Sequence, residues 1–294
     1  MPRSRSGALT LAEEEPRSPR QRWLAGTLGV AVVGVLGVAG WQGVQHLLHA
    51  VASERCEVTV SGTTHRWAPD QASNAAAITA IGVKRGLPPR AASIAIATAM
   101  QESKVRNVRY GDRDSLGLFQ QRPSQGWGSP EQILDPEYAT NAFYDALVEV
   151  DGYDGMEIAD AAQAVQRSAA GYAYAQHEGQ ARATASALSG QSPAVLGCAL
   201  RDPSEPGDPE ALSALLDKDF GLAAEVEGTR VRVDAADPRS AWAVAQWAVA
   251  RASTTGATRV EHDGRSWTRA MDDAALTWAG DGSTGPGEVV IDLA

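Results

Sequence analysis

"LPPRAASIAIATAMQES", residues 87 to 103, decides how this chain folds. Two prolines open it at the place a helix tolerates them, the first turn, where the N–H groups have no partner inside the helix. Ile94, Ile96 and Met100 follow among alanines. Small or apolar residues on nearly every side predict a helix packed by neighbours all round, because it has no broad polar face to give to water. Glu102 ends the run, followed at once by Ser103.

The flanks supply the neighbours. "CEVTVSG", from Cys56, alternates like a short strand, and Asp70 is placed to cap a helix through "QASNAAAITAIGVKRG". Ser129-Pro130 and Asp135-Pro136 each read as a cap followed by a proline at the first helical position. After Pro136, the residues Tyr138, Ala142, Phe143, Ala146, Leu147 and Val150 recur at helical spacing. Two more helical patterns cover Met156 to Ala170 and Ala173 to Leu188. Residues 56–198 therefore predict a mainly α domain.

Beyond it, "RDPSEPGDP" is rich in proline and charge, and residues 199–208 read as a linker. Residues 209–294 alternate between types: a short helix from Glu210 to Leu216, the strand "TRVRVDA", the helix "PRSAWAVAQWAVARAS", a strand near "ATRVEHDGRSW" and a last strand "EVVIDL". That order predicts a small α/β domain. Trp242, Trp247, Trp267 and Trp278 fall here; tryptophans on a helical stripe read as core before they read as a sugar-stacking platform.

At the other end, "LAGTLGVAVVGVLGVAG" from Leu24 to Gly40 carries no charge, and no charge follows until Glu54. A bilayer core needs about 20 apolar residues, so 23–50 is expected to be a transmembrane anchor. Arg3, Arg5, Arg17, Arg20 and Arg22 outweigh Glu13, Glu14 and Glu15 in the preceding tail. The positive-inside bias then makes 1–22 a cytoplasmic tail and places everything after the anchor outside the cell, in a single-pass cell-membrane protein. A cleaved signal peptide begins the same way, but the apolar run is long for one, and Trp23 and Trp41 sit where interfacial aromatics belong. The lipid bilayer is thus an expected partner.

The chain's 294 residues, 44% of them hydrophobic, suffice for two modest domains with real cores. Its net charge of −10 falls on the part after the basic tail and argues against nucleic acid as a partner. The two cysteines, Cys56 and Cys198, both lie beyond the anchor, where disulfides persist, and are expected to pair; two buried free thiols are the other reading. No metal or other cofactor is expected. Asp112 and Asp114 begin like a calcium loop, but Leu116 and Pro123 stand where oxygen ligands belong.

A glutamate at the last turn of a buried helix suits a general acid. Burial disfavours its charged form, and the helix C-terminus adds partial negative charge, so both raise its pKa. Ser103 is placed to orient it by a hydrogen bond, and the loop from Lys104 to Leu116 to wall a cleft.

Gln101-Glu102-Ser103 followed by Ser115-Leu116-Gly117-Leu118-Phe119-Gln120-Gln121-Arg122-Pro123 resembles the lytic transglycosylase and goose-type lysozyme superfamily. There a glutamate-serine pair ends a buried helix, and a Gly-Leu-Met-Gln-like segment lines the substrate groove. Phe119 replaces the usual methionine. The resemblance covers residues 56–198 only. It implies a lysozyme-like fold, with Glu102 as the single general acid/base that cleaves peptidoglycan glycan strands between N-acetylmuramic acid and N-acetylglucosamine. Ser103, Gly117, Leu118, Phe119, Gln120 and Gln121 would then bind substrate. Gly171-Tyr172-Ala173-Tyr174 stands where the family often has an Ala-Tyr-Asn segment, so Tyr172 or Tyr174 is the candidate to touch the acid. Trp127 is a candidate sugar platform.

A transglycosylase needs no second carboxylate, because nucleophile and electrophile lie on one sugar ring. Inverting hydrolysis wants one about 6.5–9.5 Å away. Asp112 and Asp114 are the candidates, although both could instead pin a turn around Arg113. The alternative from another class is a non-catalytic wall-binding or division-complex scaffold that keeps the fold. Cell-wall machinery proteins are candidate partners in either case.

Overall fold

The computed structural model describes residues 53–166 and 171–294. The expected tail and anchor, 1–22 and 23–50, lie outside the described residues. Among those described, no helix is long and apolar enough to cross a membrane.

Residues 53–294 form one compact unit. In chain order the strands are β1 (Arg55–Val60), β2 (Thr63–Trp67), β3 (Leu196–Ala199), β4 (Glu225–Glu227), β5 (Arg230–Asp234), β6 (Ala257–His262), β7 (Arg265–Thr268) and β8 (Glu288–Leu293). The α-helices are α1 (Pro69–Lys84), α2 (Pro89–Ser103), α3 (Pro130–Ile133), α4 (Pro136–Val148), α5 (Ile158–Gln166), α6 (Glu178–Leu188), α7 (Pro209–Phe220) and α8 (Pro238–Thr255). Short 3-10 helices cover Pro123–Gln125, Gly171–His177 and Asp273–Leu276.

α2 is the centre of the helical half. Every residue from Ala91 to Ala99 is buried, and α1, α4, α5, α6 and the 3-10 helix Gly171–His177 all pack on it. Burial of Ile94 and Ile96 contributes about 2 kcal/mol each. The proline-led starts form as the sequence predicts: Ser129 Oγ accepts Gln132 N–H, and Asp135 accepts Glu137 N–H. α1 differs from expectation. Pro69 takes the first helical position and Gln71 accepts the Ala68 N–H at 3.0 Å, which frees Asp70 for a 2.7 Å ion pair with Arg106. The pattern read as one helix from Ala173 to Leu188 is a 3-10 helix followed by α6.

The first sheet has the order β2-β1-β3 and is antiparallel throughout. Cys56 and Cys198 face each other directly across β1 and β3, and they are bonded. The expected disulfide is therefore present, joining positions 142 residues apart. β3 has an outer edge, which an unprotected sheet would expose to strand addition. Here the indoles of Trp267 and Trp278 donate to the Cys198 and Leu196 carbonyls at 3.2 and 2.9 Å. Gly197 lets the turn at Leu276 approach: a Cβ there would fall 2.3 Å from the Leu276 carbonyl carbon.

The second sheet, order β4-β5-β8-β6-β7, is also antiparallel. "ATRVEHDGRSW", read as one strand, is the hairpin β6–β7. Asp263 (φ 48°) and Gly264 (φ 69°) supply the two positive-φ turn residues that match the twist of flanking strands. Trp242, Trp247 and Trp267 are buried, as expected of core residues.

Residues 199–208 mark a change of secondary-structure type rather than a gap between two independent cores. α8 packs against α1 as well as against its own sheet. Gln246, fully buried in α8, donates to the Ala187 and Ser192 carbonyls at 2.6 and 3.0 Å, and its Oε1 accepts Val195 and Leu196 N–H at 3.0 and 3.1 Å. All of the amide's donors and acceptors are thus spent on joining the halves. Composition flagged the change of type, but the contacts that cross it are tertiary and leave no local signal.

Candidate active site

The last turn of α2 presents Glu102 at the edge of the helical core. The helix stops because Lys104 and Val105 both take left-handed backbone, with φ 56° and 55°. Glu102 is half-buried, and Tyr174, fully buried in the 3-10 helix Gly171–His177, donates its hydroxyl to Glu102 Oε1 at 2.6 Å. Burial pushes the Glu102 carboxyl above its ordinary pKa, and the Tyr174 hydrogen bond offsets part of that rise. Of the two tyrosine candidates, Tyr174 touches the acid. The side chain of Tyr172 lies outside the described residues.

Ser103 acts on the facing loop. Its Oγ donates to the Leu118 carbonyl at 2.7 Å and accepts Arg106 N–H at 3.2 Å. That loop is closed on itself by the bridge between Leu116 and Gln121 and by Gly117 N–H on the Val108 carbonyl at 2.8 Å. Gly117 has φ 76°, and a Cβ there would lie 2.6 Å from the Ile133 carbonyl, so the close approach needs glycine.

Within Gly117 to Gln121 the side chains point mostly inward. Leu118 and Phe119 are fully buried, with Phe119 stacked on Phe143 at 4.6 Å. Gln121 is buried and donates to the Ala139 carbonyl at 3.1 Å. Gln120 is half-exposed and reaches the Tyr110 carbonyl at 3.2 Å. The surface this segment offers a ligand is therefore its backbone and Gln120. Phe119 stands at an aromatic packing position against Phe143.

The two loop carboxylates differ. Asp114 accepts Ser124 N–H at 2.8 Å, Arg122 Nε at 2.8 Å and Ser124 Oγ at 3.0 Å, and these bonds hold its pKa far below the usual carboxylate range. It pins the turn. Asp112 is exposed, 3.9 Å from Arg113.

Trp127 is half-buried and lines an open cleft of about 580 Å³ with Gln125, Glu149, Val150 and Gln166. Gln166 Nε2 donates to the Phe119 carbonyl at 2.8 Å, tying this cleft to the loop beside Glu102. Sequence reasoning passed over Gln166. It also passed over a second cleft of about 470 Å³ at the end of α2, lined by Trp67, Met100, Gln101, Lys104, His177 and Gln180. There Gln101 Oε1 meets Gln176 Nε2 at 3.2 Å and His177 Nε2 at 3.1 Å, while burial lowers the His177 pKa. Gln101 was visible beside Glu102, but only folding brings residues 176 to 180 to it. Among the described residues, no group of three or more His, Cys, Asp or Glu side chains is placed to hold a metal.

Compared with protein-family models and with curated proteins, the chain matches none.

Proposed function

We propose that this protein cleaves the glycan strands of peptidoglycan with Glu102 as its single general acid/base. The observation that carries the proposal is the 2.6 Å hydrogen bond from a buried tyrosine hydroxyl to a half-buried glutamate at a helix end. Burial raises the Glu102 pKa, which favours the protonated form that can donate to the leaving glycosidic oxygen. Once the proton has left, the Tyr174 hydroxyl stabilises the carboxylate, which can then take the proton of the sugar's own 6-hydroxyl as that oxygen closes on the anomeric carbon. The product of that route is a 1,6-anhydro end.

The lytic transglycosylase route is favoured over inverting hydrolysis. Asp114, one of the two candidate partners, is committed to Arg122 and Ser124. The exported, membrane-anchored topology read from residues 1–50 belongs to the same proposal, and the disulfide agrees with an oxidising compartment. Digestion of purified peptidoglycan with the full chain, followed by mass spectrometry of the products, tests it. Anhydro ends support the proposed route and reducing ends would show hydrolysis. No cleavage across a range of pH refutes the enzyme.

A further inference from the structure

At the N-terminal end of α2, away from Glu102, lies another open cleft of about 580 Å³. Arg90 and Glu102 are 12 residues apart on one helix, which separates them by roughly 18 Å along its axis. The elements that wall the cleft are α2, the β1–β2 hairpin, α5 through Ile158, and α6. The first turn of α2 gives Arg90 and Ser93, the β1–β2 hairpin gives His65, and one face of α6 gives Arg182 and Ser186, with Gln191 just beyond that helix.

Among the described residues no carboxylate lines this cleft, although the chain carries 36 acidic residues against 26 lysines and arginines. Glu178 meets Arg182 from outside the lining, through one guanidinium nitrogen at 2.9 Å. Arg90 donates through Nη2 to the Met156 carbonyl, and its Nε is buried with no hydrogen-bond partner in the structure.

We propose that this cleft is a second binding site, for an oxyanion carried on a hydroxyl-rich ring. Two guanidinium groups recognise the negative charge. Ser93 Oγ donates to the Pro89 carbonyl at 3.1 Å and Ser186 Oγ pairs with Ser192 Oγ at 2.8 Å, so these hydroxyls keep acceptor capacity, while the amide of Gln191 both donates and accepts, as ring hydroxyls do. The volume is far more than a bare oxyanion fills and lies in the range of small-molecule sites. An acidic chain repels anions at long range, so a local cationic cleft is what allows one to dock. The proposal does not depend on the reading of Glu102.

Calorimetric titration of the full chain with glucuronic acid, glucose 6-phosphate and glucose tests it. Saturable binding of one or both acids, with none of glucose, is expected. Glucuronic acid alone would identify the charge as carboxylate, and glucose 6-phosphate alone as phosphate. Arg90→Gln and Arg182→Gln should each weaken binding about tenfold, the loss of one charged hydrogen bond. Arg182 is exposed, so its variant keeps the test valid if Arg90→Gln disturbs folding through Met156. Failure of both acids to bind, equal binding of glucose, or unchanged affinity in Arg182→Gln overturns the proposal.

Discussion

The hydroxyl of Ser103 and the carbonyl of Leu118 meet at 2.7 Å, joining the end of the buried helix to the loop that faces it. Glu102 is the residue just before that joint, so its position depends on a bond made by its neighbour. Ser103→Ala should cost about 1–2 kcal/mol, because the Leu118 carbonyl and the Arg106 N–H both lose a partner. Activity should fall more than the stability change alone explains. Thermal unfolding and turnover measured on the same preparation check this.

Glu102→Gln keeps the shape and removes the acid. Turnover should drop by about 100-fold or more, the usual contribution of a positioned proton donor. Tyr174→Phe removes the hydrogen bond that lowers the Glu102 pKa, so that pKa should rise. The high-pH limb of the rate profile should then move to higher pH while the maximum rate falls. A limb that stays in place would reject the assignment of that limb to Glu102.

The same carboxyl leaves a mark on stability. Its folded pKa lies above the ordinary 4.5, so between the two values the folded state holds more protons than the unfolded one. Stability contributed by Glu102 is therefore full below 4.5 and is lost as pH rises through the folded value. Relative to wild type, Glu102→Gln should be more stable at neutral pH than at pH below 4.5. Denaturant midpoints of both proteins at two pH values measure the difference.

The disulfide closes a span of 142 residues, and loop-closure entropy assigns such a link about 5 kcal/mol. Replacing Cys56 and Cys198 together by serine should lower the denaturant midpoint by a corresponding amount.

Gln246→Ala removes four buried hydrogen bonds that cross between the halves. A loss of about 3 kcal/mol is expected, with the Ala187 and Ser192 carbonyls and the Val195 and Leu196 N–H groups losing this partner. Calorimetry of the wild type should show one transition for the compact unit. Two separate transitions would argue that the halves fold independently.

Much of this was legible because it is local. Proline-led helix starts, the small-residue shell of α2, the position of Glu102 and the strand patterns near residues 230 and 290 each follow from spacing a few residues long. The inward turn of Leu118 and Phe119 was not, since an apolar pair in a loop reads equally as groove or as core until Phe143 is known to lie beneath it. β3 was missed for a related reason: a buried four-residue strand has no alternation to show. Asp114 looked available as a catalytic partner because the groups that fill its oxygens, Arg122 and Ser124, lie eight and ten positions away in sequence.

The order β4-β5-β8-β6-β7 places the last strand of the chain in the middle of its sheet. Until residues 288–293 have left the ribosome, β5 and β6 have no common neighbour and the second sheet exists only as two loose edges. β8 is thus the strand whose removal would part this sheet into two separate pairs, β4-β5 and β6-β7.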